Sequence, residues 1–200
     1  MTPRRLAAAF ALGAALGTAL DAIHVYGDVE TYSNEVLGEL GWFVPLEFGL
    51  AGVVSALAVP VLDRIVARDW APHWTIWDRL REVPLLAGLY VTSVAANGPD
   101  ATVFLVALLV LLAVRLRFAS APGDWAFALV AAIAGPAAEA TIHATGAFDY
   151  TEPDVLGVPI WLPALWANGG LAIRRIFGGW VEPALVVPQA NEAAQDSDVR

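Results

Sequence analysis

Five ionisable side chains stand inside the long apolar runs of this 200-residue chain: Asp21 and His24 in the first run, Glu47 in the second, and Glu139 and His143 in a later one. Such groups are expensive in an apolar stretch, so they pair with one another or mark a site. Glu139 and His143 are four positions apart, which puts both on one face of a helix. Carboxylates and imidazoles gathered in this way can do three things. They can form a structural polar network that fixes helix packing, make a polar floor or mouth for a lipid headgroup, or ligate a metal. The third lacks H-x-x-x-H or E-x-x-H spacing, so no metal and no other cofactor is expected beyond a bound membrane lipid.

Composition narrows the chemistry further. The chain has no cysteine, and all eleven basic residues are arginines. This removes disulfides, thiolate nucleophiles, sulfur-ligated metals and a lysine Schiff base. With a net charge of -9 and no clustered positive surface, nucleic acid is not a partner. A chain that is 58% hydrophobic and 16% charged lies well above the apolar share of a soluble domain.

The elements that position the five residues are membrane spans, since roughly 20 apolar residues cross a hydrocarbon core about 30 Å thick. The pattern predicts an all-α integral membrane protein, a bundle of six transmembrane helices over residues 1–180. Its spans lie at about 6–26, 42–62, 84–96, 101–114, 125–145 and 159–173. The first run could instead be a cleaved signal peptide, although it is long for one. Residues 68–82, with Trp70, Trp74 and Trp77 among arginines, read as an interfacial segment or as a loop packed beneath the bundle. Residues 181–200 read as a disordered acidic cytoplasmic tail.

Six spans with the amino end inside put Arg4, Arg5, Arg64, Arg68, Arg79, Arg81, Arg115, Arg117, Arg174 and Arg175 on the cytoplasmic side, as the positive-inside rule requires. Both termini are then cytoplasmic, and a multi-pass protein of the cell membrane is expected. At a rise of about 1.5 Å per residue, Asp21, Glu47 and Glu139 come roughly 21 to 23 Å above the inner end of their spans, and the two histidines about 27 Å. All five share one layer in the outer third of the bilayer. Pro45, Pro60, Pro84, Pro136 and Pro163 sit in or at the ends of spans, where an interior proline kinks a helix. Splayed helices would enclose an apolar wedge.

In succession, Gly41-Trp42-Phe43-Val44-Pro45, Pro60-Val61-Leu62-Asp63-Arg64, Pro72-His73, Tyr150-Thr151-Glu152-Pro153-Asp154 and Trp161-Leu162-Pro163 resemble the insulin-induced gene (Insig) family. The resemblance runs from about Gly41 to Gly178. It implies six membrane helices and a non-enzymatic lipid sensor, since animal members bind an oxysterol among their helices and retain the escort protein Scap. Where those members carry an Asp-Arg motif after the fourth span, this chain has Val114-Arg115-Leu116-Arg117, which gives a Scap-like partner no counterpart. The arginine-only, cysteine-free composition is similar to that of a prokaryotic homologue, whose ligand could be a diacylglycerol-like glycerolipid rather than a sterol.

The expected lipid site comprises Trp42, Phe43, Glu47, Phe48, Gly49, Gly52, Pro136, Glu139 and His143, beside a polar network of Asp21, His24, Glu47, Glu139 and His143, with no catalytic residue. Homo-oligomerisation through Gly13, Gly17 and surface tryptophans is an open expectation. The rival is a small membrane enzyme acting on a lipid or isoprenoid, with Asp21, His24, Glu139 and His143 as acid–base or metal groups. The assignment of sides has a direct test. Single cysteines placed at Arg117 and Asp149 in this cysteine-free chain will react with an impermeant maleimide from opposite faces of the membrane; reaction of both from one face overturns it.

Overall fold

The computed structural model describes residues 1–67, 74–98 and 100–180. The acidic tail, Trp70 and the Pro72-His73 pair lie outside the described residues. Within them are seven helices: α1 (Pro3–Val25), α2 (Val44–Val66), α3 (Ile76–Leu80), α4 (Glu82–Ala96), α5 (Ala101–Phe118), α6 (Asp124–His143) and α7 (Leu162–Phe177). Four of these, α1, α2, α5 and α6, are long and apolar enough to cross a membrane. The other two expected spans form shorter helices: α4 has 15 residues and α7 has 16, about 22 to 24 Å at helical rise.

The helix ends follow local chemistry. Thr2 caps α1, accepting from the Arg5 amide at 3.4 Å ahead of Pro3, and a proline at the first turn costs no intrahelical bond. Pro45 and Pro163 hold the corresponding places in α2 and α7. Pro60 and Pro136 lie inside α2 and α6, which run on past them. Helix α3 opens on a reciprocal capping box between Thr75 and Asp78. Of the two described tryptophans among residues 68–82, Trp74 lies beneath the Arg175 guanidinium, 5.2 Å from carbon to ring centre, whereas Trp77 is exposed.

The all-helix expectation needs amending in the loops at the far end of the bundle. The link from α1 to α2 contains strands β1 (Glu30–Tyr32), β2 (Glu35–Leu37) and β3 (Leu40–Gly41), and β4 (Phe148–Tyr150) follows α6. Strands β2 and β3 form one antiparallel ribbon, and β1 pairs with β4 in another, with Glu30 opposite Tyr150 and Tyr32 opposite Phe148. Alternation along both β1 and β4 buries the outer residues of each triplet and exposes Thr31 and Asp149. Such short strands were invisible as long as the loops were read for charge alone.

Twelve of the sixteen residues of α7 are buried, while the four long helices bury few of theirs. Helix α7 therefore fills the centre of the bundle, and the others turn large apolar side chains such as Leu50, Val54, Val103 and Ile133 outward, as lipid-facing helices do. Helices α1 and α2 meet backbone to backbone. A Cβ on Gly13 would lie 2.9 Å from the Gly52 Cα, too close for any side chain.

The sequence places its arginines as loop charges; among the described residues three of them, Arg115, Arg174 and Arg175, are buried. Arg174 pairs with Asp63 at 2.7 Å and with Asp124 at 2.6 Å. Arg175 reaches Asp124 at 3.1 Å and Glu82 at 3.4 Å, and Arg115 meets Glu82 at 2.6 Å. These groups come from the ends of α2, α5 and α7 and the starts of α4 and α6, so successive long helices run in alternating directions. Arg5 joins the same end of the molecule by donating to the Trp180 carbonyl at 2.6 Å. Removing one partner of a buried pair leaves an uncompensated charge, at a cost of about 3–5 kcal/mol. Arg174→Ala will accordingly unfold in detergent at a markedly lower temperature than the parent, whereas the exposed Arg64→Ala will not shift.

Candidate functional site

At the end of the bundle remote from the arginines, a cavity of about 200 Å³ is closed by the β1–β4 ribbon. Asp21 and His24 enter it from the last turn of α1, Glu47 from the first turns of α2 and Glu139 from α6. The ribbon adds Glu30, Tyr32 and Tyr150, and Trp166 projects from α7. The polar bonds are specific. Tyr32 Oη donates to Asp21 Oδ2 at 2.9 Å, Trp166 Nε1 donates to Glu139 Oε1 at 2.5 Å, and Tyr150 Oη donates to Glu139 Oε2. His24 stacks on Tyr90 with ring centres 4.3 Å apart.

Directly beneath lies a second, apolar cavity of about 140 Å³ between α1, α2, α4 and α7, lined by Leu16, Gly17, Gly52, Leu86, Gly169 and Ile173 among others. An apolar void of that size stays dry and accepts an apolar guest. Phe48, Ala51, Tyr90 and Trp166 line both cavities, so the polar and the apolar cavity adjoin, and together they are the cleft of this molecule.

Four residues expected at the lipid site, Glu47, Phe48, Gly52 and Glu139, line this cleft. The other five stand elsewhere. Trp42 is exposed on the surface, and Phe43 packs edge-on against Tyr32 at 5.6 Å. Gly49 faces the Phe10 ring of α1, and Pro136 lies within α6 beside Gly135, whose missing Cβ admits the Trp166 indole. Of the polar network, the structure brings together Asp21, His24, Glu47 and Glu139. His143 sits outside it, at the end of α6, with its Nδ1 3.1 Å from the Phe148 carbonyl and 3.2 Å from the Asp149 carboxylate. Gly157 packs against its ring.

Glu30, Tyr32 and Tyr150 lie in loops outside the spans, and Trp166, within the sixth span, is not ionisable, so charge inside the apolar runs points to none of them. The signal available was the i, i+2 spacing of Glu30 with Tyr32 and of Phe148 with Tyr150, which places each pair on one strand face. Of the residues named for the enzyme alternative, Asp21, His24 and Glu139 share this cavity and His143 does not, and His24 Nε2 also lies 2.7 Å from Ser93 Oγ. Ser93 is fully buried and its hydroxyl donates to the Tyr90 carbonyl, so it faces no substrate. Among the described residues no group of three or more His, Cys, Asp or Glu side chains is arranged to hold a metal ion.

A lipid-facing bundle of apolar helices around a partly polar cleft defines a multi-pass membrane protein. The chain belongs to the family described as protein of unknown function (DUF2878), whose model matches residues 83–187. It is also Insig-like. Over 185 residues it is 26% identical to the insulin-induced gene 1 protein of Danio rerio, covering 86% of this chain and 70% of that protein. Against the Homo sapiens counterpart it is 24% identical over 179 residues, 84% of this chain and 62% of that protein. The crystal structure of MvINS, a mycobacterial Insig homologue from Mycobacterium vanbaalenii, has the same fold, with a TM-score of 0.74 at 20% identity over 88% of this chain and 94% of that one. A cross-linked trimer of an MvINS variant matches with a TM-score of 0.73.

The site predicts a pH dependence. Burial, and next the Asp21 carboxyl beside it, push the Glu30 carboxyl well above the ordinary glutamate value of 4.5. Its folded value lies above the unfolded one, so its contribution to stability is complete below pH 4.5 and is lost as the pH rises through the raised value. Thermal unfolding of the parent protein will therefore shift to lower temperature on the alkaline side of 4.5. Glu30→Gln, which cannot ionise, will flatten that part of the profile; an unchanged profile would remove Glu30 from the account.

Proposed function

We propose that this protein is a non-enzymatic lipid-binding membrane protein of the sensing type, holding one lipid in the cleft with its head among Asp21, Glu30, Glu47 and Glu139. Candidate ligands are a sterol or a diacylglycerol-like glycerolipid. The observation that carries the reading is that the two cavities share four wall residues: a polar chamber beside an apolar one suits the head and chain of an amphiphile. Likeness to insulin-induced gene 1 proteins supports a regulatory rather than catalytic role.

The same reading takes α4 and α7 as the two short spans of a six-helix topology, with both termini on the cytoplasmic side of the cell membrane. All the described arginines near helix ends cluster at one end of the bundle, which supports that orientation. Self-association has a precedent in the trimer of MvINS. A Scap-like partner has no support in the Val114–Arg117 stretch.

Organic extraction of the purified protein followed by mass spectrometry will yield one lipid species in near-stoichiometric amount. Gly169 lines the apolar cavity with open space where a Cβ would go, so Gly169→Phe will fill the cavity without disturbing the fold. That variant will retain the parent unfolding profile in apo form and lose most of the co-purified lipid. A folded variant that carries as much lipid as the parent overturns the assignment.

A further inference from the structure

Most polar groups of the outer cavity are satisfied by the protein itself. Glu139 accepts from the Tyr150 hydroxyl and the Trp166 indole, and Asp21 accepts from Tyr32. Asp21 and Glu30 share a hydrogen bond. Glu30 is its donor, because burial and the adjoining Asp21 carboxyl push Glu30 well above the ordinary glutamate value and so keep its proton in place. Ser93 Oγ gives its proton to the Tyr90 carbonyl at 2.7 Å and lies 2.7 Å from His24 Nε2. The serine oxygen therefore accepts from the imidazole, and the His24 proton resides on Nε2.

What is left over is short of donors. Glu30 is 3% exposed, and its Oε1 has no hydrogen-bond partner. The bare His24 Nδ1 lies 3.9 Å from that oxygen, beyond a direct bond. Two buried acceptors thus face each other, an arrangement that costs free energy until a donor meets them. Two further lining groups are half-buried and make no side-chain hydrogen bond among the described residues, the Glu47 carboxyl on α2 and the Tyr90 hydroxyl on α4. Phe48, next to Glu47, and Tyr90 itself line both cavities. The free polar groups therefore stand where the polar cavity adjoins the apolar one.

A head that fits this lining donates as well as accepts, since Glu47 and Tyr90 can do either and Glu30 and His24 lack a donor. An ester or ether oxygen only accepts. A phosphate or carboxylate would bring a negative charge that no arginine of the lining answers. A hydroxyl donates, accepts and carries no charge. We infer that the outer cavity selects its lipid by a free hydroxyl on the head, and that Glu47 and Tyr90 are the side chains that read it. This inference rests on the lipid-holding reading of the cleft and adds the group by which the lipid is chosen. A sterol and a diacylglycerol both present such a hydroxyl.

The test uses two lipids and their O-methyl ethers, which keep the oxygen and remove its proton: cholesterol, dioleoylglycerol and the ether of each. Full-length protein in phosphatidylcholine nanodiscs is equilibrated with donor vesicles containing one alcohol and its ether in equal amount, and the bound lipid is read by native mass spectrometry. For whichever carbon skeleton binds, the alcohol will be favoured over its ether by about tenfold, the ratio expected for one hydrogen bond made and one buried group left unpaired. The two skeletons separate the sterol from the glycerolipid as source of the hydroxyl. Glu47→Leu and Tyr90→Phe will each bring the ratio toward one while the ether still binds. Glu47→Gln, whose amide also donates and accepts, will keep the preference. Unfolding temperatures of the three variants check that each remains folded.

Equal binding of alcohol and ether to the parent overturns the hydroxyl selection and leaves the lipid reading standing. A full preference that survives in folded Glu47→Leu and Tyr90→Phe overturns the assignment to these two side chains. Loss of the preference in folded Glu47→Gln overturns the hydrogen-bonding role in favour of one that needs the acid. If none of the four lipids binds above the level in empty nanodiscs, both readings fall together.

Discussion

Two adjacent arginines at the end of α7 organise this molecule. A guanidinium cannot remain unpaired where it is almost wholly removed from solvent, and Arg174 and Arg175 are at most 1% exposed. Between them they reach Asp63 on α2, Glu82 on α4 and Asp124 on α6. Arg115 from α5 then shares Glu82 and bonds to the Asn168 carbonyl on α7 itself. Four outer helices are thereby tied to one central helix at one level, and their alternating directions follow from which of their ends carries the acid. With that end fixed, the remote end is free to separate around a cleft.

The remote end is built on a different balance. Its acids are met by phenol and indole donors, Tyr32, Tyr150 and Trp166, which are fixed in place by the short β1–β4 ribbon and by the Trp166 ring seated against Gly135. Neutral donors can orient a carboxylate without cancelling its charge. The contrast between the two ends separates an ion cluster that ties helices together from a chamber whose acids meet only neutral donors.

Several particulars were legible in the residue order. The apolar runs overlap α1, α2, α4, α5, α6 and α7, four of which are long enough to cross a membrane, and charge counting gathered the arginines at one end. Rise per residue placed Asp21, Glu47 and Glu139 at a common depth, and the structure brings these three around one cavity. Helical spacing groups His143 with them, but spacing cannot show that its ring lies among Phe148, Asp149 and Gly157. Trp42, Phe43, Gly49 and Pro136 were nominated for size or kinking, properties that do not report direction. The Asp63 of the Pro60–Arg64 motif and the Tyr150 of the Tyr150–Asp154 motif carried the family resemblance; their reasons, an ion pair with Arg174 and a bond to Glu139, appear only with the fold.

The sequence by itself determined that the chain belongs in a bilayer, how many apolar helices it can form and which ends of them carry positive charge, because hydropathy and charge act locally and add along the chain. Tertiary structure alone decided which acids receive an arginine and which receive only a phenol or an indole. It also decided that α7 is the buried axis and that two short loop segments meet as a lid over the cleft. Those outcomes depend on contacts between residues as far apart as Asp63 and Arg174 or Glu30 and Tyr150, and on rotations of whole helices about their axes, which no local property of the chain encodes.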